Sequence, residues 1–231
     1  MLISVAVRSL NEKELLSVFI ENHQFADEII VVDGGSTDGS RELVRGAPAI
    51  SGVPVHLVDF TERVPGRKGG WRNPEGRHVN FALDQCKGEW IWLTEMDAIP
   101  SLALQKEVRG VLERGHINAV GSYLYYIAPR KEGEGYEHYP ELIKGRGLTC
   151  WHRSLNLRAD PDKDFEPTIK FEHPWYCFSP PAARVHLSWR SEEVLRAKWK
   201  FYREVHGLNQ EHPDKKWDRE PLPEWLEWKG K

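Results

Sequence analysis

The chain has 231 residues, enough for one sizeable core with or without a small appendage. Its net charge is −3, with Lys and Arg interspersed among Asp and Glu, so no basic stripe announces nucleic acid, and its apolar runs fall far short of the ~20 residues that a bilayer span requires. Three cysteines, Cys86, Cys150 and Cys177, without CxxC spacing, make no disulfide framework and point to a reducing compartment, the cytoplasm.

The opening MLISVAVRSLNEKE lacks the basic start and cleavage site of a signal peptide and reads as a first strand, Ile3 to Val7. Asn11 followed three residues later by Glu14 has the form of a capping box, so a helix is expected from Asn11 as N-cap, with Leu15, Val18 and Phe19 as its apolar stripe to about His23. A second strand, Ile29 to Val32, ends at Asp33 and falls into GGSTDGS. There Gly34, Gly35 and Gly39 permit positive φ or a close backbone approach, and Ser36, Thr37 or Asp38 caps a helix through Val44. Val55 to Val58 reads as a third strand.

Residues 61 to 78, rich in Gly, Pro and Arg, read as a long functional loop in which Arg67, Lys68, Arg72 and Arg77 are available to phosphate. Val79, Ala82, Leu83 and Cys86 then mark a helix with Gly88 at its C-terminal cap position, and Arg77, Asn80 and Asp84 share its other face. Glu89 to Thr94 forms a fourth strand, stopped by Glu95-Met96-Asp97. Leu104, Val108, Val111 and Leu112 draw a further helix, and Ala119 to Ile127 a further strand. Pro129 to Pro140 reads as a loop, 145 to 190 as a region with some strand content, and Ser191 starts a last helix carrying Leu195, Trp199 and Tyr202. The alternation is that of a doubly wound α/β layer.

Two buried strands therefore end in acids, one at Asp33 and one at Glu95-x-Asp97, and open α/β sheets bind ligands at carboxyl ends of strands. Carboxylates gathered there repel one another unless a cation neutralises them, and hard oxygen ligands suit Mg²⁺ or Mn²⁺. A zinc site from Cys150, His152, His173 and Cys177 lacks paired short spacings.

These residues carry a resemblance. Ser9-Leu10-Asn11-Glu12 after the first strand, VVDGGSTDGS, Arg77-x-x-Asn80 ahead of GEWIWLTEMDAIPS, and Val185-His186-Leu187-Ser188-Trp189-Arg190-Ser191 together make the chain to about residue 206 resemble a family 2 glycosyltransferase of the GT-A fold. The resemblance implies a Rossmann-like mixed sheet flanked by helices, with a nucleotide-sugar half over 1–100, an acceptor half over 101–206 and a Trp-rich tail over 207–231. It implies a nucleoside-diphosphate sugar as donor, met by Asn11, Glu12, Asp33, Gly35, Ser36, Arg77, Asn80 and Glu95, with Asp33 at the base or ribose. Glu95-x-Asp97 stands where the family has its DxD, Asp97 binds a divalent ion that bridges to the diphosphate, and Glu95 reaches ribose, metal or a metal-bound water. His186, ahead of Trp189-Arg190-Ser191, is a further metal ligand, and transfer proceeds with inversion.

Inversion requires a base for the acceptor hydroxyl. Asp164, Glu166 and Glu172 are the candidates, Glu172 foremost because Phe171 and Trp175 flank it and desolvation raises a carboxyl pKa. Competing readings are a sugar nucleotidyltransferase, which would carry a Gly-rich basic signature where this chain has SLNEKE, and a non-catalytic carbohydrate or nucleic-acid binding module using the ten tryptophans. The acceptor stays open among a glycan, a lipid-linked sugar, a protein, a small molecule and a modified nucleobase. The tail, with Trp217, Trp225 and Trp228, is read as a membrane-surface contact, a homodimer contact or a cover for the acceptor groove.

Overall fold

The computed structural model describes residues 1–47, 51–60, 62, 75–162, 176–206 and 217–230. Among them, eleven strands join one mixed sheet. Strands β1 (Ile3–Ser9), β2 (Glu28–Asp33), β3 (Val55–Asp59) and β4 (Trp90–Thr94) are parallel in the order β3-β2-β1-β4. The sheet continues antiparallel through β8 (Lys144–His152) to the long β6 (Ala119–Pro129), then β7 (Tyr136–His138) and β11 (Glu220–Pro221). Strand β10 (Ala183–His186) lies parallel to β6 and antiparallel to the short β5 (Ala98–Pro100), while β9 (Tyr176–Cys177) pairs with β6.

Every residue of β2 is buried, as an apolar run covered on both faces requires. Alternate side chains of β1 enter different layers. Val5 and Val7 pack with Leu15, Leu16 and Phe19 of α1 (Lys13–Asn22) and Leu104 and Val108 of α4 (Leu102–Leu112), whereas Ala6 faces Val79, Ala82 and Leu83 of α3 (Glu75–Gln85). Each fully buried Val, Leu or Phe side chain among these contributes about 1.5–3 kcal/mol. Helices α2 (Ser40–Gly46) and α5 (Glu192–His206) are the other α-helices with described bounds, beside three short 3-10 turns. Ser101 caps α4, accepting a bond from Leu104 N, and Ser191 Oγ accepts from Val194 N at the start of α5. None of the described helices is long and apolar enough to cross a membrane.

Local patterns were overruled at several places, among them the start of α2, whose N-cap is Gly39 and not Ser36, Thr37 or Asp38. The N-cap of α1 is Glu12, not Asn11: Asn11 takes a left-handed φ of 56°, and its Oδ1 accepts from Thr37 N of the neighbouring loop. The orphan N–H of Lys13 is instead satisfied by Asp38 Oδ2 across the gap, so the two loops cap one another. Gly88 does not end a helix, since α3 stops at Gln85. A Cβ there would lie 2.6 Å from Ser4 N and 2.8 Å from Leu2 O, so glycine is required for the approach to β1. The expected 129–140 loop holds β7, because its backbone pairs with the end of β6.

The stretch 217–230 packs back onto the sheet. Leu226 and Trp228 are buried, Leu102 N donates to Glu227 O, and Asn22 of α1 bonds both the carbonyl and the N–H of Lys229. Trp225 stands 36% exposed with its ring edge-on to Tyr125.

Candidate functional site

Strand β4 ends at Thr94, and the chain turns through Glu95 and Asp97 into β5. β5 pairs with β10 in the register His186↔Ala98, and Leu187 N donates to Asp97 O at 2.7 Å, so two segments distant in sequence are fixed side by side. His186 Nε2 lies 2.9 Å from Glu95 Oε2 and 3.6 Å from Asp97 Oδ1. One ligand atom from each of the three residues falls within 4.8 Å of the others, which among the described residues makes a group able to hold a metal ion. Two carboxylate oxygens and an imidazole nitrogen form a donor set suited to Mn²⁺-class ions. Tyr126 of β6 stacks on the His186 ring at 4.6 Å and 24°, fixing the plane of the imidazole.

Charge around the group is organised in layers. Desolvation in this corner would raise the Glu95 carboxyl, but its side chain is 57% exposed, and the hydrogen bond and charge of His186 hold it below its ordinary value. Lys198 of α5 places Nζ 2.8 Å from Asp97 Oδ2. Glu12 faces the same corner. Burial and the charge of Asp97 push its carboxyl up to about 7, against the opposing pull of Lys198 and Arg190. Neither Lys198 nor the deeper Arg184, whose guanidinium burial lowers to about 10, was singled out by sequence, because a cation on an amphipathic helix or a short strand reads as a surface charge.

The other expected donor residues lie at the ends of β1 and β2. Asp33 is 1% exposed. Its Oδ1 accepts from Gly35 N, Ser36 N and Arg41, and Arg41 also reaches Asp59 at 2.6 Å. Burial raises the Asp33 carboxyl, and the bonds from Ser36, Arg41 and Gly35 more than reverse that shift. Asp33 therefore organises its loop. Gly35 and Gly39 adopt φ of 99° and 93°, the left-handed region the glycines were expected to supply. Ser36 Oγ accepts from Asn11 N, tying the first loop to the second.

Arg77 and Asn80 are turned elsewhere. Asn80 forms paired 2.9 Å bonds with the N–H and carbonyl of Ala159, and Arg77 meets Glu62 and Asp162. The helix face they share serves as a dock for segment 159–162, where Gly76 lets the Asp160 carbonyl approach so closely that a Cβ would lie 1.7 Å from it. Asp164, Glu166, Glu172 and His173, and the loop cations Arg67, Lys68 and Arg72, lie outside the described residues. His152 bonds Ser154 Oγ through Nδ1, and Cys86, Cys150 and Cys177 are free thiols.

Residues 4–177 match the family model described as glycosyl transferase family 2. The chain belongs to glycosyltransferase family 2. This family 2 chain is 29% identical over 144 residues to the lipopolysaccharide core biosynthesis glycosyltransferase LpsC of Rhizobium meliloti (strain 1021). The match covers 62% of this chain and 48% of LpsC, so the chain spans about half the length of that curated relative. Among solved structures, S. aureus TarS 1–349 in complex with UDP-GlcNAc superposes with a TM-score of 0.59 at 15% identity, covering 93% of this chain and 69% of that one. The glucosyl-3-phosphoglycerate synthase of Mycobacterium tuberculosis, solved with Mn²⁺, UDP and phosphoglyceric acid, superposes with a TM-score of 0.52 at 18% identity, covering 96% of this chain and 87% of that one. At such identities the likeness shows the GT-A fold.

Proposed function

We propose that this family 2 chain is a metal-dependent, inverting glycosyltransferase that moves a sugar from a nucleoside-diphosphate sugar to an acceptor hydroxyl in the cytoplasm. The observation that carries the reading is the convergence of Glu95, Asp97 and His186 from two segments onto one point at the carboxyl end of β4. UDP-sugars are the first donor class to try, since the TarS and glucosyl-3-phosphoglycerate synthase structures hold UDP-GlcNAc and UDP.

Asp97, Glu95 and His186 would hold Mn²⁺ or Mg²⁺. Such an ion supplies Lewis-acid neutralisation of the charge that grows on a departing diphosphate. The residues of the chain do the rest. The interlocked loops of Asn11, Glu12, Gly35 and Ser36 receive the donor, Asp33 sets the loop that meets its base or ribose, and Arg77 and Asn80 of α3 hold segment 159–162 beside them. Tyr126 keeps the His186 ring in plane. Glu172, or Asp164, takes the acceptor hydroxyl proton as the new glycosidic bond forms and the bond from the anomeric carbon to the diphosphate breaks on the opposite face.

Calorimetric titration with UDP, GDP, dTDP and CDP, with and without Mn²⁺, tests the reading. One nucleotide is expected to bind only with the metal, and Asp97→Ala is expected to abolish that binding. Metal-independent binding, or an unaffected variant, would overturn it.

A further inference from the structure

Arg184 sits in β10, two residues before His186, and shares its side of the strand, while Ala183 and Val185 face the apolar core. Its side chain is 8% exposed. Buried guanidinium groups are ordinarily paired with carboxylates, because an unpaired charge out of water is costly. Here, among the described residues, no carboxylate lies within ion-pair distance, and the hydrogen bond the side chain makes is from Nε to Ser122 Oγ at 2.8 Å. Glu95 and Tyr126 are the negative and polar neighbours felt at longer range.

The surroundings are polar, with Ser122 and Thr149 fully buried. Ser122 Oγ is 3.1 Å from Thr149 Oγ1, which in turn donates to Gly147 O. Gly147 of β8 is exposed, and a Cβ there would lie 3.7 Å from Arg184 Nη2, so the end of the guanidinium lies beneath the one residue type that leaves it uncovered.

The geometry points to the end of the Arg184 guanidinium at Gly147, held from within by the buried Ser122, as a subsite that binds an anionic group, phosphate or carboxylate, carried by the acceptor. This rests on the transferase reading above. The sheet order separates the two substrates: β1, β2 and β3, whose loops receive the donor, lie on one side of β4, and β8, β6 and β10 lie on the other, so an anion at Arg184 is beyond the Glu95-Asp97-His186 group from the nucleotide half. An Arg in this position matches the planar oxygen pairs of phosphate and carboxylate. The acceptor class is thereby narrowed to sugars, lipids or small molecules bearing an acid beside the receiving hydroxyl.

Inorganic phosphate and acetate are the probes, titrated calorimetrically into the full chain alone and again with UDP and Mn²⁺ saturating. Saturable binding of at least one probe in both conditions is expected. Arg184→Gln should weaken it by about tenfold or more, the loss of a charge-assisted contact, with UDP affinity unchanged. Gly147→Asp covers the case in which the glutamine variant fails to fold: it offers Arg184 a carboxylate from within, so the fold should hold or gain stability while the probe is lost by a similar factor. Comparison of phosphate with acetate tells which acid is preferred. The subsite is overturned if neither probe binds the parent, if either folded variant binds as the parent does, or if the probe competes with UDP, which would place the anion at the donor diphosphate. Failure of all four nucleotides to bind with metal would sink the transferase reading while leaving the probe titration of the free chain to judge Arg184.

Discussion

Lys198 Nζ lies 2.8 Å from Asp97 Oδ2, so a helix residue 101 positions further along the chain supplies the counter-charge for the acid at the end of β4. An ammonium and a metal ion compete for the same oxygen. Lys198→Met should therefore raise the affinity for Mn²⁺ alone by a factor of a few, in keeping with the ~1 kcal/mol or less of a partly exposed pair. Electron paramagnetic resonance of free Mn²⁺ would measure it, and weaker binding would mean that Lys198 positions Asp97 instead of competing at it.

His186→Ala should lower Mn²⁺ affinity by about tenfold or more, at least the loss seen when groups that merely support ligands are removed. Tyr126→Leu, which leaves the imidazole but removes the ring stacked at 4.6 Å, should cost less. Equal losses in the two variants would show that the stacking, not the nitrogen, governs the site.

Two buried histidines predict acid lability. Burial, helped by the Arg184 charge and against the Phe19 carbonyl bond, lowers His23 to about 3, and burial with Arg8, against Asp33, lowers His78 to about 3. Both are neutral in the folded chain and take up protons near 6.5 when it unfolds. The unfolded state thus binds more protons as pH falls below about 6.5, so stability is full above that value and falls towards pH 3 by about 1.4 kcal/mol per pH unit for each histidine. Urea midpoints measured across this range should show the slope, and His23→Leu should reduce it by about half. An unchanged slope would mean that His23 is protonated in the fold.

Two glycines on helices have opposite expectations. Gly76→Ala drives a methyl group into the Asp160 carbonyl and should destabilise the fold by about 1–3 kcal/mol while loosening segment 159–162. Gly110→Ala, inside α4 with nothing within 4 Å, should stabilise by about 0.5–1 kcal/mol. Thermal unfolding of the pair is the check, and a neutral Gly76→Ala would mean that the segment moves aside at no cost.

The parallel half of the sheet and its acidic ends were legible because the information is local: a β-branched run such as Ile29 to Val32 can only be a covered strand, and the acid that stops it must lie at an edge. His186 was reached only through the Trp189-Arg190-Ser191 resemblance. The physical cause of its position, the antiparallel pairing of β5 with β10 across some ninety residues, leaves no mark in either segment. Asn11 and Gly88 were misread for the same reason in reverse. Each fits a local cap pattern, yet tertiary partners, Thr37 for Asn11 and Ser4 for Gly88, decide what it does. Cations betray themselves least. Nothing near Lys198 or Arg184 in sequence distinguishes the residue that meets Asp97, or the one buried over Ser122, from an ordinary surface charge.

The bonds between Asn22 and Lys229 join residues separated by 207 positions, and Leu226 and Trp228 seal the layer that α1 and α4 share. A chain growing from the ribosome makes α1 some two hundred residues before the strap and cannot complete the layer until residue 229 has emerged. Loop closures of that length are slow. Throughout that wait the part of the layer that Leu226 and Trp228 cover is exposed, so the speed at which the 226–229 strap docks sets how long that patch needs protection from aggregation.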